Sequence, residues 1–226
     1  TQVGTGNYNE TTAKLYTDFS LITYNQQLGK DVSRFFKNIC KNRYFEDYKY
    51  ILAAPQGFKQ AILQQIESET AKGRKGRIFI KVNSMTDPDV IRKLSEASEA
   101  GVKIRMIVRG ICCLLPGVAK RTENIHVVNV VGRYLEHSRV YIFGSGKKER
   151  MYISSADLMT RNTEKRVELA FPVIDPKVRS RIKNTLLLNY MDNVKGRRLD
   201  SEGCYRRKEV KGESVNSQQR LMDEQI

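Results

Sequence analysis

The residues best suited to chemistry lie between positions 133 and 168, where Arg133, His137 and Arg139 are followed by Ser154, Ser155, Asp157, Arg161, Asn162, Arg166 and Glu168. An imidazole exchanges a proton near neutral pH, guanidinium groups grip phosphate oxygens through paired N–H donors, and hydroxyl, amide and carboxylate groups orient both. Together these types suit phosphoryl chemistry. His137 and Arg139 stand two residues apart at the start of the apolar run Val140 to Phe143, so in a strand their side chains share a face. An isolated His-x-Arg is more often a solvated surface pair. Here Ser154, Ser155 and Asp157 at the end of the next predicted strand, with Arg161 and Asn162 beyond, supply the company that favours a site over an ordinary polar turn.

Arg109 ends another apolar run and is followed by Gly110, whose missing side chain admits a ligand close to the backbone. Lys81 and Asn83 end a neighbouring run in the same way, and three cationic or amide groups at equivalent strand ends predict a phosphate cradle. Near the start, Gly4, Thr5, Gly6 and Asn7, followed by Tyr16 and Asp18, resemble a reduced copy of the later pattern without a preceding histidine. The chain is therefore expected to begin partway through its own active site. His126, among apolar neighbours, is expected to be structural, and Cys112 and Cys113, flanked by Ile111 and Leu114, to pack rather than react. Gly144, Ser145 and Gly146 lack the spacing of a phosphate-binding P-loop, and no metal-ligand cluster is predicted.

The elements that must carry these residues follow from periodicity. Residues 18 to 23 read as a strand, and Val32, Phe35, Phe36 and Ile39 fall on one face of a following helix. A strand and a helix close no core, so residues 1–46 are expected to be the end of a domain whose larger part is absent. From Tyr50 the pattern alternates: strand 50–54, helix about 57–72, strand 77–82, a helix opened by Asp87 and Pro88 and stopped at Gly101, then strand 103–109. Strands near 126–131, 138–143, 150–154 and 166–171 continue, and Asp175 and Pro176 open a last helix. This predicts an α/β domain over 47–194 with a mixed, mainly parallel sheet flanked by helices, functional at the carboxyl ends of its strands. Residues 195–226 are polar and weakly periodic, and are expected to be a mobile or partner-dependent tail.

At 226 residues and 40% hydrophobic content the chain can bury a core, and no window approaches the ~20 apolar residues of a membrane span. Four cysteines without metal-ligand spacing favour a reducing, cytosolic compartment, with peripheral membrane association left open. The net charge of +15 points to a polyanionic partner. From Lys195 onward there are eight Lys/Arg against six Asp/Glu, so the excess belongs to the folded part and favours a lined site over a basic tail.

Gly4 to Asn9, Tyr16 to Leu21, Val108 to Cys113, Arg133 to Arg139 and Ser154 to Arg166 together resemble the C-terminal half of the bacterial polyphosphate kinase family, the one with a phospholipase-D-like catalytic core. The likeness covers roughly residues 2 to 195, and Arg133, Tyr134, Leu135, Glu136, His137 is its most specific run. The resemblance implies two phospholipase-D-like domains, each contributing a histidine half-site. His137 and Arg139 match the second half-site, with His137 catalytic. Gly4, Thr5, Gly6 and Asn7 match the Gly-Ser/Thr-x-Asn element of the first, whose phosphorylated histidine lies upstream. It further implies that Tyr16, Arg109 and His137 contact ATP, that magnesium is needed with ligands mainly outside these residues, and that Gln2 replaces a second histidine found in many members. ATP or ADP and inorganic polyphosphate are the implied partners, with a homo-oligomer for the full-length protein and no nucleic acid.

The expected reaction is reversible transfer of the ATP terminal phosphate to polyphosphate through a phosphohistidine. Lys81, Asn83, Arg139, Ser155, Asp157, Arg161 and Asn162 are expected to bind or orient phosphate beside His137. Two rivals stand beside this reading. A phospholipase-D-type phosphodiesterase or nuclease would place lysine where Arg139 stands. A non-catalytic nucleic-acid binder would show exposed aromatics interleaved with basic residues, whereas the aromatics here fall mainly at core-periodic positions.

Overall fold

Asn25 accepts the N–H groups of Gln27 and Leu28 and so starts the first long helix of the N-terminal segment. This computed structural model describes residues 1–44, 46–209 and 212–224. The segment runs β1 (Gln2–Gly4), α1 (Glu10–Ala13), β2 (Tyr16–Thr17), β3 (Ser20–Ile22) and α2 (Gln26–Cys40), with β1 antiparallel to β3. The strand expected at 18–23 is realised as Ser20–Ile22, preceded by a separate short strand, Tyr16–Thr17, that pairs elsewhere. On α2, Phe35 is buried while Phe36, expected on the same face, is 60% exposed. Leu28 and Asp31 complete the inward side instead, and the Asp31 carboxylate accepts the Tyr50 and Ile51 N–H groups where the chain enters the main sheet.

The larger unit runs β4 (Leu52–Ala54), α3 (Phe58–Thr70), β5 (Arg77–Val82), α4 (Pro88–Glu99), β6 (Lys103–Val108), β7 (Ile125–Val130), β8 (Leu135–Glu136), β9 (Arg139–Phe143), β10 (Arg150–Ser154), α5 (Thr160–Glu164), β11 (Glu168–Pro172), α6 (Pro176–Met191), β12 (Gly196–Leu199), β13 (Tyr205–Arg207) and α7 (Ser217–Asp223). The helix starts are those signalled by Asp-Pro pairs: Asp87 accepts from Asp89 and Val90 N–H, and Asp175 from Lys177 and Val178 N–H.

Among the described residues nine strands form one sheet in the order β13-β12-β7-β6-β5-β9-β10-β11-β4. The sheet is mixed. β5, β6 and β7 are mutually parallel and joined by helical or looped crossovers, while the remaining pairings are antiparallel. Alternate residues feed two cores, one per face. Ile78, Ile80 and Val82 of β5 meet Ile62 and Ile66 of α3 and Leu94 of α4 on one side. Phe79, Ile107, Val140 and Ile142 meet α2 and α6 through Leu28, Phe35, Ile182 and Leu186 on the other. Burial on both faces accounts for the near-continuous apolar runs of the central strands. Each fully buried side chain of this size contributes roughly 1.5–3 kcal/mol.

The stretch after Val194 is not the mobile tail expected from its polarity. It adds β12 and β13 to the sheet and closes with α7. Asp192, fully buried, makes the turn: one carboxylate oxygen accepts the N–H groups of Val194, Lys195 and Gly196, and the other accepts both the N–H and hydroxyl of Ser217. Strands of three or four residues rich in arginine leave no hydrophobic period to read, so the signal resided in one carboxylate.

Candidate functional site

β8 ends immediately before His137 and pairs in parallel with β2, setting Tyr16 beside Leu135 and Thr17 beside Glu136. The His137 and Ser138 N–H groups both donate to the Thr17 carbonyl at 3.1 Å. This short ladder ties the N-terminal segment to the larger unit at the point where the histidine emerges.

The imidazole is clamped from both ends. Its Nδ1 lies 2.9 Å and 3.1 Å from the two oxygens of Asp18, and Arg139 Nη1 lies 2.9 Å from Nε2 and 3.3 Å from Nδ1. An ionised carboxylate only accepts, so Nδ1 carries the proton that Asp18 receives as a hydrogen bond, and the Arg139 guanidinium lies against the ring with Nε2 the nearer nitrogen. Asp18 is itself held by the Thr5 hydroxyl, which donates to it at 2.6 Å and accepts the Phe19 N–H. Gly6 makes this possible, because a Cβ there would fall 2.0 Å from an Asp18 oxygen. The Gly-Thr-Gly sequence thus serves to seat a carboxylate under the histidine.

Arg139 makes a two-pronged pair with Asp157, at 3.2 Å and 3.0 Å, and donates to the Thr5 carbonyl. Asp157 also accepts the Asn83 backbone N–H at 2.6 Å, so the strand end of β5 orients it. Asn83 donates through its amide to the His137 carbonyl and to Asp157, and accepts from Arg109 Nε at 2.8 Å. The Arg109 guanidinium lies 5.9 Å over Tyr16, whose ring meets His137 edge-on at 4.8 Å. Tyr16, Asn83, Arg109, His137, Arg139 and Asp157 are therefore one connected cluster, drawn from β2, β5, β6, β9 and β10 or their ends.

Lys81 is not part of it. Expected to join Asn83 and Arg109 as a phosphate cradle, it is only 2% exposed and donates to Glu136 at 2.6 Å and to Asn189 at 3.2 Å. Glu136 also accepts from Gln218 and Thr17, and although burial pushes its carboxyl up, Lys81 and these hydrogen bonds hold it below its ordinary value. The residue directly before the histidine thus anchors β8 from the opposite face of the strand.

Ser155 and Asn162 form a second group one strand away. Both donate to Glu168, and Asn162 Oδ1 is buried without a hydrogen-bond partner. Arg161 is exposed on α5, Thr5 and Gly6 lie against Asp18, and Gly4 lines a separate pocket with Ser155. Asp18 enters as a component that sequence reasoning named only in a motif, and Glu136 and Gln218 were not foreseen. Strand parity could have paired Glu136 with Lys81, but nothing local marks Gln218. Burial pushes the Cys112 thiol up to about 11, away from nucleophile chemistry. Among the described residues no three His, Cys, Asp or Glu side chains converge on a metal position.

A mixed sheet flanked by helices, with a histidine and its partners at the strand ends, defines the phospholipase-D-like class of fold. The structure is similar to a phospholipase D family member, Nuc from Salmonella typhimurium, with a TM-score of 0.51 at 18% identity, over 67% of this chain and 97% of that one. Sequence narrows the class: the family model "Polyphosphate kinase C-terminal domain 2" matches residues 51–219, and "Polyphosphate kinase C-terminal domain 1" matches residues 1–44. The chain belongs to the polyphosphate kinase family. It is 45% identical to the polyphosphate kinase of Staphylococcus epidermidis over 227 residues, 99% of this chain and 31% of that protein. Against the Bacillus cereus polyphosphate kinase it is 48% identical over 206 residues, 90% of this chain and 29% of that protein. The crystal structure of polyphosphate kinase from Porphyromonas gingivalis superposes with a TM-score of 0.91 at 39% identity, covering 99% of this chain and 36% of that one. The chain thus spans about a third of the length of the relatives it matches.

Proposed function

We propose that the whole protein carrying this chain is an ATP:polyphosphate phosphotransferase, with His137 at its reacting centre. The observation that carries this reading is the clamp on His137: Asp18 fixes the Nδ1–H tautomer and Arg139 meets Nε2. In the forward direction a histidine elsewhere in the whole protein attacks the terminal phosphorus of ATP. An N–P bond forms, the bridging P–O bond breaks, and ADP leaves. The terminal oxygen of polyphosphate then attacks the same phosphorus and releases the histidine. His137 donates a proton to the oxygen that leaves, or accepts one from the oxygen that attacks. Asp18, which accepts the Nδ1–H, stabilises the imidazolium that exists before the proton is given up and is restored once one is accepted. Arg139 and Arg109 offset charge on the transferring group, and Tyr16 flanks the nucleotide.

Magnesium would arrive on the nucleotide phosphates and screen their charge. The carboxylates here do not fit a directly held ion, since Asp18 is committed to His137 and Thr5, and Asp157 to Arg139 and Asn83. A cytoplasmic location, favoured by the four free cysteines, and a homo-oligomeric whole protein, on family resemblance, belong to the proposal.

The test is polyphosphate formation from ATP and magnesium by the whole protein and by its His137→Ala variant, alongside hydrolysis of a phosphodiester. Synthesis by the parent that falls by two to four orders of magnitude in the variant, on the scale of a lost general acid–base, supports the reading. A parent that cleaves the phosphodiester and makes no polyphosphate would replace it with the hydrolase.

A further inference from the structure

On the sheet edge away from the histidine, β6, β7, β12 and β13 line an open groove of about 660 Å³ whose lining includes Arg105, His126, Arg198, Arg207 and Lys208. Glu209 is the sole carboxylate among its described lining residues. Arg206 also reaches the groove but is paired with Asp200 and Glu202. Arg105, Arg198, Arg207 and Lys208 have no carboxylate ion-pair partner among the described residues.

The arrangement concentrates positive charge rather than dispersing it. β12 and β13 set Arg197 opposite Arg207 and Arg198 opposite Arg206, and like charges directly across a ladder are destabilising. Tyr190 of α6 is held between two cations, with the Arg105 guanidinium 5.4 Å and the Lys208 ammonium 5.3 Å from its ring centre. Lys208 also donates to the Tyr190 carbonyl, and Arg198 sits 3.2 Å from His126 Nδ1. Burial, reinforced by the charges of Arg198 and Arg105, holds the His126 ring below its ordinary value. Crowded cations that form no carboxylate ion pair among the described residues are stabilised by an anion that bridges them.

The charge pattern also selects the anion. Tyr190 is the one tyrosine, phenylalanine or tryptophan among the described lining residues and it already meets two cations, so the groove offers little for base stacking. Arginines presented singly and in opposed pairs suit phosphate oxygens repeated along a chain. Arg105 lies on the same strand that leads to Arg109, four residues earlier and ~13 Å away at strand rise.

We propose that this groove binds the internal phosphates of an inorganic polyphosphate chain, holding the polymer to the protein while its end reacts near His137. The inference rests on the kinase reading for the identity of the polymer, and concerns residues outside the proposed reacting centre. Holding the chain would let successive transfers occur without release, so the groove governs product length rather than the rate of one transfer.

The test uses the whole protein with Arg105→Gln and Arg198→Gln combined, and a control that removes the same charge from an exposed turn, Lys147→Gln with Lys148→Gln. Affinity for long-chain polyphosphate is titrated across a range of salt, and product length from ATP is measured. The expected result is an affinity loss of about tenfold or more, a log-affinity against log-salt slope shallower by about 1.4, and shorter products, with transfer to a short primer unchanged. The control should match the parent. An Arg105→Lys, Arg198→Lys variant, which keeps the charge, should retain most of the affinity, and thermal unfolding confirms that each variant is folded. Equal losses in groove and control variants, or unchanged affinity and product length, would overturn the proposal. So would preferential binding of a single-stranded oligonucleotide that depends on the same two arginines. A parent that makes no polyphosphate at all would sink the kinase reading, while the titration would still report on the groove.

Discussion

Asp18 connects the two parts of the site: it takes the proton side of His137 while being held by Thr5 beneath Gly6. Replacing it by Asn keeps the shape but removes the preference for the Nδ1–H tautomer. Asp18→Asn is expected to lower kcat by two to four orders of magnitude with the thermal midpoint nearly unchanged, as steady-state kinetics and calorimetry would show. Gly6→Ala should do similar damage by a different route, since its Cβ must displace the carboxylate. Structural work on that variant should find Asp18 moved off His137. Lys81 belongs to stability instead. Lys81→Met leaves Glu136 buried without its cation and is expected to cost about 3–5 kcal/mol in chemical denaturation. Glu136 has a depressed folded-state pKa, so its contribution is complete above the unfolded value of about 4.3 and is lost as pH falls through the folded value. The stability gap between parent and Glu136→Gln should therefore be widest above about pH 4.3 and narrow on acidification.

At the scale of elements, capping and closure come from a few carboxylates. Asp87 caps α4, receives the Thr163 hydroxyl and pairs with Lys59 while fully buried. Asp87→Ala is expected to cost about 2 kcal/mol or more, measured by denaturant unfolding. The Asp-Pro starts of α4 and α6, the β5 and β6 strands and the His137-Arg139 pair were all legible, because each is signalled within a few residues by caps, β-branched runs or strand parity. What could not be read depended on partners far along the chain. Lys81 looked like a strand-end cation because Glu136 and Asn189 are distant in sequence. β12, β13 and α7 looked disordered because Asp192 and Ser217, not apolar periodicity, hold them. Of the site, the residues in the His137 cluster were named in advance except for the part played by Asp18, which needed the β2 to β8 pairing to bring it within reach.

At the scale of the molecule, the N-terminal segment and the larger unit share one face of the sheet and one polar side-chain cluster. Leu28 and Phe35 pack with Ile142 and Leu186, and Asp18 meets His137 a short distance away. On the function proposed above, activity would depend on this contact between two segments, and Asp18 and His137 should act as one unit. The decisive measurement is polyphosphate formation from ATP by the whole protein carrying Asp18→Asn, His137→Ala, and both. A shared unit predicts that the double variant is no slower than His137→Ala alone, because removing the imidazole already removes what Asp18 orients. Rates that multiply, with Asp18→Asn slowing the His137→Ala protein as much as it slows the parent, would contradict the site described here.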